Sequence, residues 1–276
     1  MTDRYLVVGN PIAQSRSPQI QRQFAEQKDE DISYEAMLVD IDGFEKAAAE
    51  FFDGGGMGMN ITMPFKEDAY RFAHRLSPGA RIAGAVNTLV AGENGEIIGH
   101  NTDAAGLIAD ILRQEKTIAG QSILILGAGG AVRGVLGPLL QGTPSKLTIA
   151  NRTFEKAQQL AKGFAGYGPI QACPMQNLGT ESFDLIINGT STSLAGAALE
   201  LPADILTPNS FCYDMVYAAE PTPFMSWAIS QGATASDGLG MLVGQAAESF
   251  RIWRGISPNF VKIIATIRTE MLNEQA

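Results

Sequence analysis

Apolar runs of strand length alternate with stretches of helical length through most of the chain. Tyr5-Leu6-Val7-Val8 reads as a short strand that stops at Gly9-Asn10-Pro11. A second strand is expected over residues 33–39 and a helix over residues 43–52. Residues 58–62 read as a third strand, ended by Pro64, with a helical stretch after it. Such β-α repetition predicts parallel sheets with helices on their faces. The pattern pauses between Gly92 and Gly99, where a turn joining two short strands is expected.

The strongest strand signal is Ser122-Ile123-Leu124-Ile125-Leu126, an apolar run bounded by polar residues and glycine, as in a strand buried on both faces. It opens a second series of expected strands at residues 146–150, 185–188, 211–215 and 233–235, with a helix over 154–164 among the intervening segments. Beyond Gly240 no strand is evident, and residues 241–253 and 259–272 read as two terminal helices. The expected class is α/β, with a Rossmann-type doubly wound parallel sheet following a separate α/β domain. No internal repeat or low-complexity tract interrupts it.

Composition sharpens this picture by exclusion. With 276 residues, 45% of them hydrophobic, the chain has the length of two domains. A chain of this size buries roughly 75% of its unfolded surface, so it needs no disulfide or structural metal to hold a core. Twenty basic against twenty-nine acidic residues give a net charge of −9, and no basic stripe of the kind nucleic-acid binding requires is visible. Cys173 and Cys212 stand alone, without metal-ligand spacing, so no metal is expected. The longest apolar region, residues 122–140, is broken by Arg133, Pro138 and five glycines and does not read as a membrane span. The short run at Tyr5–Val8 after Asp3 is no signal peptide, and a cytoplasmic location is expected.

Gly127-Ala128-Gly129-Gly130-Ala131 follows the best strand and opens a helical stretch. Glycines at the first and third places permit a tight turn and let a pyrophosphate approach the backbone, where the helix N-terminus offers unpaired amides. The last fingerprint position is Val132, where Gly or Ala is usual, and a plain strand-to-helix turn is the alternative. The next strand ends Asn151-Arg152-Thr153, with Lys156 one turn later, where an NAD site would carry an acid for the ribose. A guanidinium matches phosphate oxygens in paired geometry, and cations are disfavoured at a helix start unless something uses them. The cofactor expected is NADP.

Polar groups also cluster at strand ends in the first hundred residues. Ser15 and Ser17 precede a helix, and either serves as well as a helix cap. The same holds for Asp103, while Lys66 after Pro64 has the look of an ordinary surface residue when taken alone.

Taken together, the ordered motifs resemble the shikimate dehydrogenase family over nearly the whole chain. They are Gly9-Asn10-Pro11-Ile12, Ser15-Arg16-Ser17-Pro18, Asn60-Ile61-Thr62-Met63-Pro64-Phe65-Lys66, Gly84-Ala85-Val86-Asn87-Thr88 and Asn101-Thr102-Asp103. The glycine loop and Asn151-Arg152-Thr153 come next, then Asp214-Met215-Val216-Tyr217 and the run from Asp237 to Gln245. The resemblance implies reversible NADPH-dependent reduction of 3-dehydroshikimate to shikimate in aromatic amino-acid biosynthesis. It implies Lys66 and Asp103 as the catalytic pair, and Ser15 and Ser17 as hydroxyls on the substrate carboxylate. Asn60, Thr62, Asn87, Tyr217 and Gln245 are implied around the carboxylate and ring hydroxyls. Met215 and Gly238 are implied at the nicotinamide end, with Thr190 and Ser191 in the matching cofactor loop. The C-terminal helices are implied to return to the first domain, giving a substrate domain of residues 1–102 and 238–276 and an NADP domain of residues 103–237. Gln14 stands where many members have His, and Gly189 departs within the Asn-x-Thr-Ser loop.

Two other functions are compatible with the fold: a quinate/shikimate dehydrogenase, and a non-catalytic NADP sensor. Asn151-Arg152-Thr153 at the end of the second cofactor strand, with no acid until Glu155, disfavours the NAD-preferring dual enzymes, and the presence of both Lys66 and Asp103 disfavours the sensor. A small-molecule substrate is expected, without a nucleic acid or membrane partner, in a monomer or a homodimer.

Overall fold

The computed structural model describes residues 2–193, 196–197 and 199–274. The chain divides into two compact units, Met1–Gly106 with Leu242–Ile267, and Leu107–Met241 with Arg268–Ala276. The breaks at 106 and 241 fall inside helices, and residues 268–276 group with the second unit.

The first unit runs β1 (Asp3–Gly9), α1 (Ser17–Lys28), β2 (Ile32–Leu38), α2 (Phe44–Asp53), β3 (Gly56–Ile61), α3 (Lys66–Phe72), β4 (Arg75–Leu76), α4 (Pro78–Ala83), β5 (Thr88–Ala91) and β6 (Ile97–His100). Its sheet has the order β2-β1-β3-β5-β6-β4. The parallel sheet expected here is in fact mixed. β2, β1 and β3 are parallel, but β5 runs antiparallel to both β3 and β6. The reason is the short link between β5 and β6, which can close a hairpin but cannot carry the crossover that parallel strands need.

Alternation along β1 divides the core. Leu6 and Val8 face a cluster with Val39, Phe44, Phe51, Met59 and Phe65, whereas Tyr5 and Val7 join Ile12, Tyr34 and Trp253. Trp253 comes from α9 (Leu239–Arg254), which reaches this unit after the second domain has been built. A Cβ on Gly58 would lie 2.3 Å from the indole nitrogen, so only glycine lets Trp253 seat there and donate to the Leu89 carbonyl at 3.0 Å.

The second unit takes most of α5 (Asp103–Arg113), then β7 (Ser122–Leu126), α6 (Gly130–Gln141), β8 (Lys146–Asn151), α7 (Phe154–Phe164), β9 (Ile170–Pro174), β10 (Phe183–Asn188), β11 (Leu206–Asp214), α8 (Pro223–Ser230) and β12 (Thr234–Ser236). The last helix, α10 (Phe260–Asn273), is shared between the units. The sheet order is β12-β11-β10-β7-β8-β9 and every pairing is parallel. With the strands counted from β7, this is the 3-2-1-4-5-6 order of a doubly wound dinucleotide fold. The apolar run of β7 is central and buried, as its pattern predicts. Sequence reading overlooks β9, an edge strand whose residues are all half-buried or exposed. Among the described residues, no helix is long and apolar enough to cross a membrane.

Candidate active site

Strand register brings the first group of polar residues together. Asn60 at the end of β3 pairs with Thr88 at the start of β5, and Thr88 pairs with His100 at the end of β6. Because β5 runs the opposite way, its first residues lie beside the last residues of its neighbours. Asn87 and the Asn101-Thr102-Asp103 turn therefore meet at one end of the sheet.

Asp103 is held by two donors. Lys66 Nζ lies 2.6 Å from Oδ2, and Asn87 Nδ2 donates to Oδ1 at 2.8 Å. The Lys66 and Asp103 side chains are 31% and 13% exposed, so the pair sits at the lip of a buried polar region. Lys66 is thus not the plain surface residue that Pro64 suggests. Nor is Asp103 the cap of α5, since the Asn101 side chain accepts the Asp103 N–H at 3.1 Å.

Behind the pair lies a hydrogen-bonded core. Asn87 Oδ1 accepts the Thr102 N–H at 2.9 Å and the Thr88 hydroxyl at 2.9 Å. Asn60 Nδ2 faces the Asn87 carbonyl, Thr88 Oγ1 and Ser249 Oγ at 3.0–3.1 Å, and Asn60 Oδ1 accepts from the Tyr34 hydroxyl at 2.6 Å. Asn60 is therefore turned inward on every side. Burial pushes the Tyr34 phenol well above its ordinary range, opposed in part by a hydrogen bond with Ser17. Ser17 also gives its backbone N–H to Ser15 Oγ at 3.3 Å, a local turn at the start of α1 that leaves the Ser15 hydroxyl hydrogen uncommitted. Gln245 Oε1 reaches Thr102 Oγ1 at 3.3 Å and Asn87 Nδ2 at 3.5 Å. Thr62 is half-buried after β3, where Gly9 leaves room for its methyl.

Tyr34 and Ser249 are the members of this network that sequence reading does not single out, while Thr88 and Thr102 stand in its motifs without a role. For Ser249 a signal exists: it lies four residues after Gln245, on the same face of α9. Nothing in the sequence marks Tyr34.

The second group belongs to the other unit. Gly127 has φ +108°, a left-handed backbone that glycine adopts freely, and a Cβ there would meet Gly189 backbone atoms at 3.1 Å. Gly129 and Gly130 have open space where side chains would be, and α6 begins without a side-chain cap. Its first amides consequently face an open cradle beside Ala128 and Ala131, which fits a dinucleotide pyrophosphate. Val132 is accommodated by the second departure from pattern: a Cβ at Gly189 would lie 2.4 Å from Val132 Cγ2. The two departures offset each other.

Arg152, Thr153 and Lys156 are exposed after β8, and Asn151 Nδ2 folds back on the Thr153 carbonyl at 2.8 Å. This leaves the Arg152–Lys156 stretch a cationic turn suited to a 2′-phosphate. Thr190 and Ser191 follow β10, where Asn188 Oδ1 accepts both the Thr190 N–H at 3.1 Å and its hydroxyl at 2.7 Å. Asn188 in turn donates to the fully buried Asp214 at 3.1 Å, which also accepts from Ser193 and Thr222. Met215 and Tyr217 follow Asp214, and Gly238 packs so tightly that a Cβ would lie 2.3 Å from the Met215 carbonyl oxygen. Among the described residues, no group of three or more His, Cys, Asp or Glu could hold a metal ion.

Three family models match successive parts of the chain. Residues 7–89 match the family described as shikimate dehydrogenase substrate binding domain, residues 109–198 match shikimate / quinate 5-dehydrogenase, and residues 238–268 match the shikimate 5′-dehydrogenase C-terminal domain. The chain is 52% identical to a shikimate dehydrogenase (NADP(+)) of Cellvibrio japonicus (strain Ueda107), over 98% of this chain and 99% of that one. An Ael1 enzyme from Pseudomonas putida superposes with TM-score 0.91 at 41% identity, covering 96% and 98% of the two chains. A shikimate 5-dehydrogenase of Thermus thermophilus, solved with NADP(H) and shikimate, gives TM-score 0.88 at 30% identity, covering 97% and 99%.

Proposed function

The chain belongs to the shikimate dehydrogenase family, and from that premise we propose how its residues divide the work of an NADP-dependent oxidoreductase that interconverts 3-dehydroshikimate and shikimate in aromatic amino-acid biosynthesis. The observation that carries the reading is the Lys66–Asp103 pair, 2.6 Å apart at the edge of a buried amide network. Reduction of the carbonyl requires a proton on its oxygen, and Lys66 is the group that exchanges it. One Lys66 N–H is engaged by Asp103, which leaves two donors for a substrate oxygen. Asp103 orients the ammonium and accepts from a ring hydroxyl. When bound, the dinucleotide supplies or takes up the hydride.

Ser15 and Ser17 hold the substrate carboxylate, neutral donors that bind an anion without burying a further charge. Asn87 and Gln245 address the ring hydroxyls, Thr62 lines the same side, and the inward-turned Asn60 forms the floor. Tyr217, in the loop after β11, is assigned to substrate binding. Gly127, Ala128, Gly129, Gly130 and Ala131 cradle the pyrophosphate, and Asn151, Arg152, Thr153 and Lys156 receive the 2′-phosphate. Thr190, Ser191, Met215 and Gly238 shape the nicotinamide end. In this reading the unit of residues 1–106 and 242–267 serves the substrate and residues 107–241 serve the cofactor, in place of the expected bounds 1–102 with 238–276 and 103–237, in a cytoplasmic enzyme.

The test is a dehydrogenase assay with shikimate and quinate, each with NADP and with NAD. Turnover of shikimate with NADP is expected to exceed the other three combinations. Activity with none of the four removes the enzyme assignment, and equal use of quinate replaces it with the dual-specificity one.

A further inference from the structure

Two fixed points orient the amides behind Asp103. The Asn87 backbone carbonyl can only accept, so the Asn60 group 3.1 Å from it is the NH₂. The Thr102 backbone N–H can only donate, so the Asn87 atom 2.9 Å from it is the oxygen. Thr88 Oγ1 lies between the two amides, 3.1 Å from Asn60 Nδ2 and 2.9 Å from Asn87 Oδ1. A hydroxyl has one proton, and here a donor faces it from one side and an obligate acceptor from the other. Ser249, 2.8 Å away, can donate to Thr88 or turn its proton to the Gln245 carbonyl at 3.0 Å; with Ser249 donating to Thr88, the Thr88 proton goes to Asn87 Oδ1. Thr88 is fully buried, so no water competes for the bond.

We infer that Thr88 is a positioning residue of the reaction: its hydroxyl holds the Asn87 amide turned so that Nδ2 points at Asp103. The proton directions run one way, from Tyr34 to Asn60, from Asn60 to Thr88, from Thr88 to Asn87 and from Asn87 to Asp103. Bonds aligned in this sense polarise one another in a low-dielectric interior. Asp103, at the end of the chain, receives the combined effect and keeps one oxygen free of other duties than Lys66. Thr88 touches neither substrate nor cofactor. It acts through Asn87 on Asp103, and this inference rests on the function proposed above.

The test is Thr88→Val, which keeps the shape and deletes the hydroxyl, measured alone and in an Asp103→Asn background. Loss of one buried hydrogen bond to the network is expected to lower kcat for shikimate roughly tenfold, with the KM for NADP within about twofold of the parent. In the Asp103→Asn background the same substitution is expected to lower kcat by less than about twofold, because the group it acts on is already altered. Thr88→Ser restores the hydroxyl and turnover. A general packing defect would instead lower kcat equally in both backgrounds, and that result overturns the proposal. So does parent-like turnover in folded Thr88→Val. If Thr88→Val does not fold, Thr88→Ala is read in the same cycle against the same outcomes. A parent chain inactive with shikimate overturns the proposed function and this role with it, whereas an active parent beside an equally active Thr88 variant overturns the role alone.

Discussion

The two functional halves of the molecule, one in each unit, are organised in opposite ways. Around Asp103, every buried amide and hydroxyl is bonded to another, and position is fixed by side chains that cross-link three strands and two helices. Around the glycine loop, position is fixed by what is missing: Gly129 and Gly130 have nothing where a side chain would be, and α6 starts uncapped. The first arrangement aims donors at a small, asymmetric molecule whose hydroxyls must be told apart. The second presents bare backbone to a phosphate, which asks for close approach and positive potential and little else. Substitutions should therefore damage the first half through lost bonds and the second through added atoms or lost charge.

The largest expected effect tests the first half. Lys66→Ala removes the proton exchanger, and a positioned acid or base contributes about 10²- to 10⁴-fold, or roughly 3–5 kcal/mol of barrier. The kcat for shikimate should fall by that order while its KM stays within a few-fold. If Lys66 only binds substrate, KM rises steeply and kcat at saturation is nearly normal. Steady-state kinetics of the folded variant separates the two.

The counterpart in the second half is Arg152→Ala. A hydrogen bond to a charged group contributes roughly 1.5–3 kcal/mol, so the Kd for NADP should rise about 10- to 100-fold while that for NAD changes little. Titration of both dinucleotides measures the ratio, and equal losses would mean general damage to the domain.

Two neighbouring glycines sharpen the contrast further. Gly127 has φ +108° and backbone atoms of Gly189 against it, so Gly127→Ala should cost about 1–2 kcal/mol of stability even without ligand. Gly129 has open space, so Gly129→Ala should leave the melting temperature of the free protein unchanged yet weaken NADP binding, because the new methyl occupies the cradle. Thermal unfolding with and without NADP reads both. A Gly129→Ala protein that binds NADP like its parent would mean the phosphate lies elsewhere.

How much of this was legible in the sequence follows the same divide. The glycine loop, β7 and the cationic turn after β8 are local features, written in consecutive residues, and each can be read there. Asn60, Asn87 and Asp103 are also visible as polar residues at strand ends, but the bonds among them depend on register between strands far apart in the chain. Thr88 stands in a motif without a role, and Ser249 looks like an ordinary residue, until the antiparallel β5 and the returning α9 bring them within 2.8 Å. Val132 reads as a fault in the fingerprint until Gly189 is placed beside it. The edge strand β9 has no buried face to impose an alternation and so leaves no pattern.

The smallest effect concerns the interior of the second unit alone. Cys212, on β11, is fully buried, and burial pushes its thiol from 9.0 up to about 12. In the unfolded chain the thiol ionises near its ordinary value, while in the folded chain it stays protonated, so the folded state binds more protons over that interval. Stability from this group is therefore complete below pH 9 and is lost as pH rises from about 9 towards 12. One pH unit above the unfolded value, the loss amounts to about 1.4 kcal/mol. Cys212→Ala lowers stability at every pH by leaving a small cavity, but it removes this particular slope. Urea unfolding at pH 8 and pH 10 should show parent stability falling about 1 kcal/mol more than that of the variant. The Tyr34 and Tyr213 phenols, both raised by burial, titrate in the same direction in either protein and cancel in the difference. Parallel losses in the two proteins would mean that the thiol ionises in the folded chain as readily as in the unfolded one, and that the interior around β11 admits water.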